Sequence, residues 1–119
     1  MKVTTIYADA EGESHFGEKD FPLTESSPLG MMSVLQPATG VIFRETGADY
    51  NYEFHTAPRE QFMVILEGGV DFTVSSGETR RFGPGGIVLL QDTVGKGHRS
   101  EAVEGKPRKS IFIPVVNEK

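Results

Sequence analysis

Apolar and polar positions in this chain alternate over short stretches that glycine and proline keep interrupting. Val3–Tyr7, Met31–Gln36, Val41–Glu45, Tyr50–His55, Gln61–Leu66, Val70–Ser75, Thr79–Phe82, Ile87–Gln91 and Ser110–Val116 are rich in β-branched and aromatic residues. That composition suits a half-buried pleated surface, so these stretches are predicted to be strands. With 14 glycines and 7 prolines, no window keeps apolar residues at helical spacing for three turns. Gly68-Gly69, Ser75-Ser76-Gly77-Glu78 and Gly83-Pro84-Gly85-Gly86 supply reversals at glycines able to take positive φ. Many short strands at this spacing predict an all-β sandwich or barrel.

Residues 8–30 depart from the pattern. Asp9, Glu11, Glu13, Glu18, Asp20, Pro22 and Pro28 leave only Phe16, Phe21, Leu23 and Leu29 as apolar anchors. An irregular arm is expected there, exposed to solvent, closing over one end of the strands or crossing to a second subunit. The 119 residues then make a single domain, 1–119, with an N-terminal strand and arm over 1–40 and a strand-rich core over 41–116.

Composition narrows the partners. A 37% apolar fraction fills one core, and 12 Lys and Arg against 17 Asp and Glu give a net charge of −5. Such a surface does not attract phosphate backbones or anionic membranes, so neither nucleic acid nor membrane is expected as a partner. The longest apolar run, Phe62–Leu66, falls far short of the roughly 20 residues of a spanning helix. Met1–Tyr7 reaches Asp9 and Glu11 before an apolar run of export-signal length develops, and a cytoplasmic location is expected. With no cysteine, thiolate metal sites and cysteine nucleophiles are excluded. Gly95-Lys96 is followed by Gly97, which rules out a phosphate-cradling loop, and Gly12-Glu13-Ser14-His15-Phe16 lacks the closing glycine of a nucleophile elbow. The basic cluster Gly95-Lys96-Gly97-His98-Arg99 reads first as a solvated loop.

The chemistry-bearing residues gather around two of the three histidines. Side chains alternate across a strand, so Glu53, His55 and Ala57 share one face, and Gln61, Met63 and Ile65 share a face after the Pro58 reversal. A barrel can aim both rows at one point. Arg59 sits in the turn after His55, where a guanidinium could clamp a substrate carboxylate or pair with Glu60 or Glu45 on the surface. Tyr52 and Met63, with Tyr50, Phe62 and Phe72, are candidates for lining a pocket, although packing alone accounts for apolar residues on such strands. His15 belongs to neither row and reads as a surface loop histidine.

Gly47-Ala48-Asp49-Tyr50-Asn51-Tyr52-Glu53-Phe54-His55-Thr56-Ala57-Pro58-Arg59-Glu60-Gln61 running to Gly68, and Gly77 to Gly86 continuing to Asp92-Thr93-Val94-Gly95-Lys96-Gly97-His98, resemble the two motifs of the cupin superfamily over roughly residues 41–116. The resemblance implies a double-stranded β-helix, the cupin jelly-roll barrel, in which a His-x-His-x3-Glu stretch and a later histidine ligate one divalent metal. Counted back from Leu66-Glu67-Gly68, the first histidine falls on His55, the second on Ala57 and the glutamate on Gln61. His98 is the histidine of the second motif. Counted from Gly47, the inward pair is instead Glu53 and His55, with Glu60 as the nearest carboxylate.

On the favoured first count, His55, Gln61 and His98 are the expected ligands of an iron, nickel, manganese or zinc ion, and Glu53 or Glu60 a fourth ligand or a general base. Arg59, Tyr52 and Met63 would contact substrate. Oxygenase, isomerase and lyase chemistry are all implied by the resemblance, and whether the chain is catalytic stays open. A metal-free small-molecule-binding or sensory module is the alternative that Ala57 and Gln61 favour. Homodimers are expected as well, with Val3–Tyr7 and the following arm as the exchanged element.

Overall fold

The computed structural model describes residues 1–116 and is all-β. Its strands are β1 (Lys2–Ala8), β2 (Ser14–Asp20), β3 (Glu25–Ser27), β4 (Gly30–Met32), β5 (Ile42–Thr46), β6 (Asn51–His55), β7 (Gln61–Glu67), β8 (Val70–Val74), β9 (Thr79–Phe82), β10 (Ile87–Leu90), β11 (His98–Ala102) and β12 (Arg108–Pro114). Among the described residues no helix is long and apolar enough to cross a membrane.

A six-stranded sheet runs β2-β1-β10-β7-β12-β5 and a four-stranded sheet runs β6-β11-β8-β9. Strand alternation explains how they face each other. In β8, Val70, Phe72 and Val74 are buried between half-exposed Asp71 and Thr73, and in β7, Gln61, Met63 and Ile65 are buried in turn. These rows meet Ile6, Val88 and Leu90 in one core drawn from both sheets. β10 lies inside the larger sheet and is apolar on both faces: Leu89 packs with Val3 and Phe21 in a second cluster on the opposite face. The strand ladders of the two sheets are separate, and no ring of strand pairing joins them among the described residues.

Three expectations are revised. Ser14–Asp20 is not irregular: it pairs along its whole length with β1, so residues 1–21 belong to the larger sheet and the arm proper begins at Pro22. β1 is paired on both sides within its own chain, by β2 and by β10 in parallel, which leaves it no free edge to exchange. The stretch Met31–Gln36 is strand only to Met32, in an exposed two-stranded hairpin with β3, because nothing packs on its apolar residues.

Candidate functional site

β6 and β11 run antiparallel, and their register makes His55 and His98 direct cross-strand partners. Their ring centres are 4.6 Å apart. That approach depends on the backbone at Gly97. This residue has φ +74 and sits so close to His55 that a Cβ would overlap the His55 carbonyl. Ser14, wholly buried, reinforces the turn: its Oγ donates to the Gly97 carbonyl at 2.7 Å and accepts from the Ser75 amide at 2.7 Å.

His98 is therefore no loop residue. It is 2% exposed, and its Nδ1 donates to Asp92 Oδ2 at 2.6 Å, with Asp92 itself fully buried. Asp92 is fixed in turn by its main-chain oxygen, which accepts from the Ala57 amide. Asp92 Oδ1 has no hydrogen-bond donor among the described residues. His55 Nδ1 donates to the Glu53 carbonyl at 2.7 Å. A carbonyl can only accept, so in the neutral ring Nε2 carries the lone pair. Burial pushes the His55 pKa below its ordinary value of 6.5; the Glu53 carbonyl opposes this, and the neighbouring His98 adds to it. Tyr52 stacks on His55 with ring centres 3.8 Å apart, and Phe72 meets His98 edge-on at 5.3 Å.

Both imidazoles line a cavity of about 380 Å³ between the sheets, together with Arg44, Tyr50, Tyr52, Arg59, Gln61, Met63, Phe72 and Ser100. That volume suits a small organic molecule, and the lining is mostly apolar with a few convergent polar groups. Of the residues singled out from the sequence, His55, His98, Gln61, Met63, Tyr52 and Arg59 thus come together. Gln61 is 1% exposed, and its Oε1 accepts from Arg59 Nη1 at 3.3 Å.

Glu53 and Glu60 do not join them. The Glu53 side chain is 76% exposed and faces Arg99 at 3.7 Å, contributing only its carbonyl to the site. Glu60 accepts from Gln91 Nε2 at 2.9 Å and lies by Phe62 and Leu89, on the far side of the larger sheet. Glu60 stands one residue out of phase with the inward Gln61, Met63 and Ile65. In β6, a register shift between the His55–His98 and Tyr52–Ser100 pairs breaks the alternation and puts Tyr52, not Glu53, beside His55 on the cavity wall. His15 lies on β2, 2.7 Å from Asp9 Oδ2, away from the cavity.

Asp92, Arg44, Ser100 and Ser14 are the members that sequence reasoning passed over. Asp92 stands six positions before His98 within the stretch compared with the second cupin motif, and that spacing was its one signal.

The search of family models gives no match for this chain, and the search of curated proteins gives none. Among solved structures it is similar to a conserved protein of unknown function, SPY1581, from Streptococcus pyogenes. The two share 18% identity with a TM-score of 0.53, over 73% of this chain and 72% of that one. That likeness supports the all-β fold.

Proposed function

We propose that this chain is a cupin-type double-stranded β-helix that binds a small organic molecule between its sheets without needing a resident metal. The observation that carries the reading is the pairing of His55 with His98 at the wall of a 380 Å³ cavity otherwise lined by aromatic, aliphatic and guanidinium groups with the Gln61 amide and the Thr56 and Ser100 hydroxyls. The fold part is supported by the juxtaposition of the two motif histidines on neighbouring strands and by the facing six- and four-stranded sheets.

The donor set is a poor fit to a divalent cation. Among the described residues no group of three or more His, Asp or Glu side chains could hold one. Gln61 Oε1, the third expected donor, already accepts from Arg59. Among the described residues the one carboxylate beside the imidazoles, Asp92, is engaged by His98 Nδ1, while Arg44 and Arg59 add positive charge to the lining. A dication would meet two imidazole nitrogens and an already engaged amide oxygen, with no free carboxylate among the described lining residues to offset Arg44 and Arg59.

Elemental analysis of the native protein, His55→Ala and His98→Ala is expected to find near-zero metal in all three. Thermal shift against small carboxylates and sugars is expected to show stabilisation insensitive to chelator. Stoichiometric metal in the native protein that both variants lose would overturn the reading.

A second reading is favoured by the buried Asp92–His98 contact: His98 Nε2 moves a proton of the bound molecule while Asp92 holds the ring. Deuterium entering a C–H of a stabilising ligand with native protein, and not with His98→Gln, is the expected sign; equal exchange with both removes it.

Two copies are further proposed to pair through the outer face of the larger sheet. Phe43, Ile111 and Val64 form a cross-strand apolar row there, and Phe43 is 82% exposed. Beside it, Glu45, Lys109 and Glu67 alternate in sign, a pattern that a twofold axis can match to itself.

A further inference from the structure

A buried guanidinium takes five N–H donors away from water, and folded chains ordinarily supply acceptors for them. Arg108 has none. It is 2% exposed, and its Nε, Nη1 and Nη2 are buried with no hydrogen-bond partner among the described residues. Strand alternation turns it inward with Ser110 and Phe112.

Arg44 comes in beside it from β5, cross-strand from Ser110. Its hydrogen bonds are weak, Nε donating to Ser110 Oγ and Nη2 to Met63 Sδ, each at 3.4 Å, and its guanidinium lies over the Phe112 ring at 4.4 Å. The two guanidinium carbons lie 5.8 Å (Arg44) and 5.1 Å (Arg108) from the Tyr50 ring centre. Among the described residues the arginine ion pairs are those of Arg80, Arg81 and Arg99, so this couple has no carboxylate.

Burial, and then the charge of Arg44, push the Arg108 pKa down to about 10; the Tyr50 hydroxyl, near both guanidiniums but in no well-formed hydrogen bond with either, opposes. Burial lowers Arg44 as well. Stacking on the Tyr50 and Phe112 rings returns only a part of what a buried and an adjacent half-buried cation cost. Without an anion the arrangement is unfavourable, and an anion relieves it.

We propose that Arg44 and Arg108 form an anion subsite at one end of the cavity, covered by Tyr50, and that the molecule bound there is a small organic acid presenting a carboxylate or a phosphate. The proposal rests on the reading of the cavity as a ligand site. Arg44, Tyr50 and Ser100 line the cavity, and Arg108 lies against the Tyr50 ring just beyond that lining. Tyr50 is half-buried and its hydroxyl is 3.2 Å from Ser100 Oγ, so it is the side chain that swings for an anion to reach Arg108. Ser100 lies two residues from His98 on one face of β11, a separation of about 7 Å. A molecule with its acid group at the arginines therefore brings its next atoms to the imidazoles.

The test is calorimetric titration of the full chain with benzoate, phenyl phosphate and neutral benzamide, in the native protein, Arg108→Met and Arg44→Met. At least one anion is expected to bind about tenfold or more tighter than benzamide, and each variant to lose that preference while keeping its benzamide affinity. Ligand-free Arg108→Met is expected to melt higher than the native protein, because the substitution removes a buried, unpaired charge. Benzoate outbinding phenyl phosphate, or the reverse, supports the subsite and identifies its anion. Benzamide binding as tightly as both anions overturns the subsite and leaves the ligand cavity standing. So does an Arg108→Met protein that melts lower with anion affinity unchanged. No binding of any probe overturns the ligand cavity and the subsite with it.

Discussion

Asp92 and His98 share a 2.6 Å hydrogen bond in which neither side chain is more than 3% exposed. The carboxylate fixes Nδ1 as the donor and so sets which imidazole nitrogen faces the cavity. Asp92→Ala leaves that N–H buried without an acceptor and is expected to cost about 1–3 kcal/mol by chemical denaturation. Asp92→Asn keeps an acceptor and is expected to cost less. Equal stability of Asp92→Ala and the native protein would show that the contact contributes nothing.

The lowered His55 pKa makes a prediction about acid. The unfolded chain takes up a proton at His55 near 6.5, and the folded chain does so only at lower pH. Between those two values the unfolded state binds more protons, so stability falls as pH drops below about 6.5 and levels off once the folded value is passed. Melting temperatures from pH 7.5 to 5 are expected to decline, and His55→Gln to flatten that part of the curve. An unchanged slope in the variant would assign the decline to other groups.

Gly97 and Gly77 both take positive φ, +74 and +114, yet their surroundings differ. A Cβ at Gly97 would overlap the His55 backbone, whereas one at Gly77 meets nothing within 4 Å. Gly97→Ala is expected to destabilise by at least about 2 kcal/mol and to shift the His55 and His98 ring resonances. Gly77→Ala pays only the conformational cost, about 1 kcal/mol, and leaves those resonances in place. Comparable losses in both variants would mean that the close approach to His55 is not what demands glycine at 97.

Phe43→Lys tests pairing of two copies. Light scattering is expected to report twice the chain mass for the native protein and the single mass for the variant, with little change in unfolding of the isolated chain, because Phe43 is 82% exposed. A native protein that scatters as a single chain removes the proposed interface.

Much of the fold was legible where burial and strand period agree. Val70, Phe72 and Val74 alternate with polar neighbours, and β7 and β10 are apolar runs bounded by glycine turns. β2 escaped because it is an edge strand: Ser14 and Phe16 turn inward, while Glu18, Lys19 and Asp20 are solvated and break the apolar alternation.

β11 escaped for a different reason. Its inward residues, His98 and Ser100, are polar because they line the cavity, so the strand reads like a loop. The same cause hid Arg44 and Arg108, since a charge on a strand is read as pointing to water unless something buried requires it. His55 and His98 were legible because two motifs of known spacing pointed to them. Asp92 carried no such marker beyond its place before His98.

The imidazoles belong to the smaller sheet, whereas Arg44 and Arg108 belong to the larger, and among the described residues no strand pairing bridges the two. A guest touching both groups would therefore act as a rivet between halves that otherwise cohere through side-chain packing and the few hydrogen bonds around Ser14. Its arrival should be felt far from the pocket, as slower amide hydrogen exchange across β8 and β10 together.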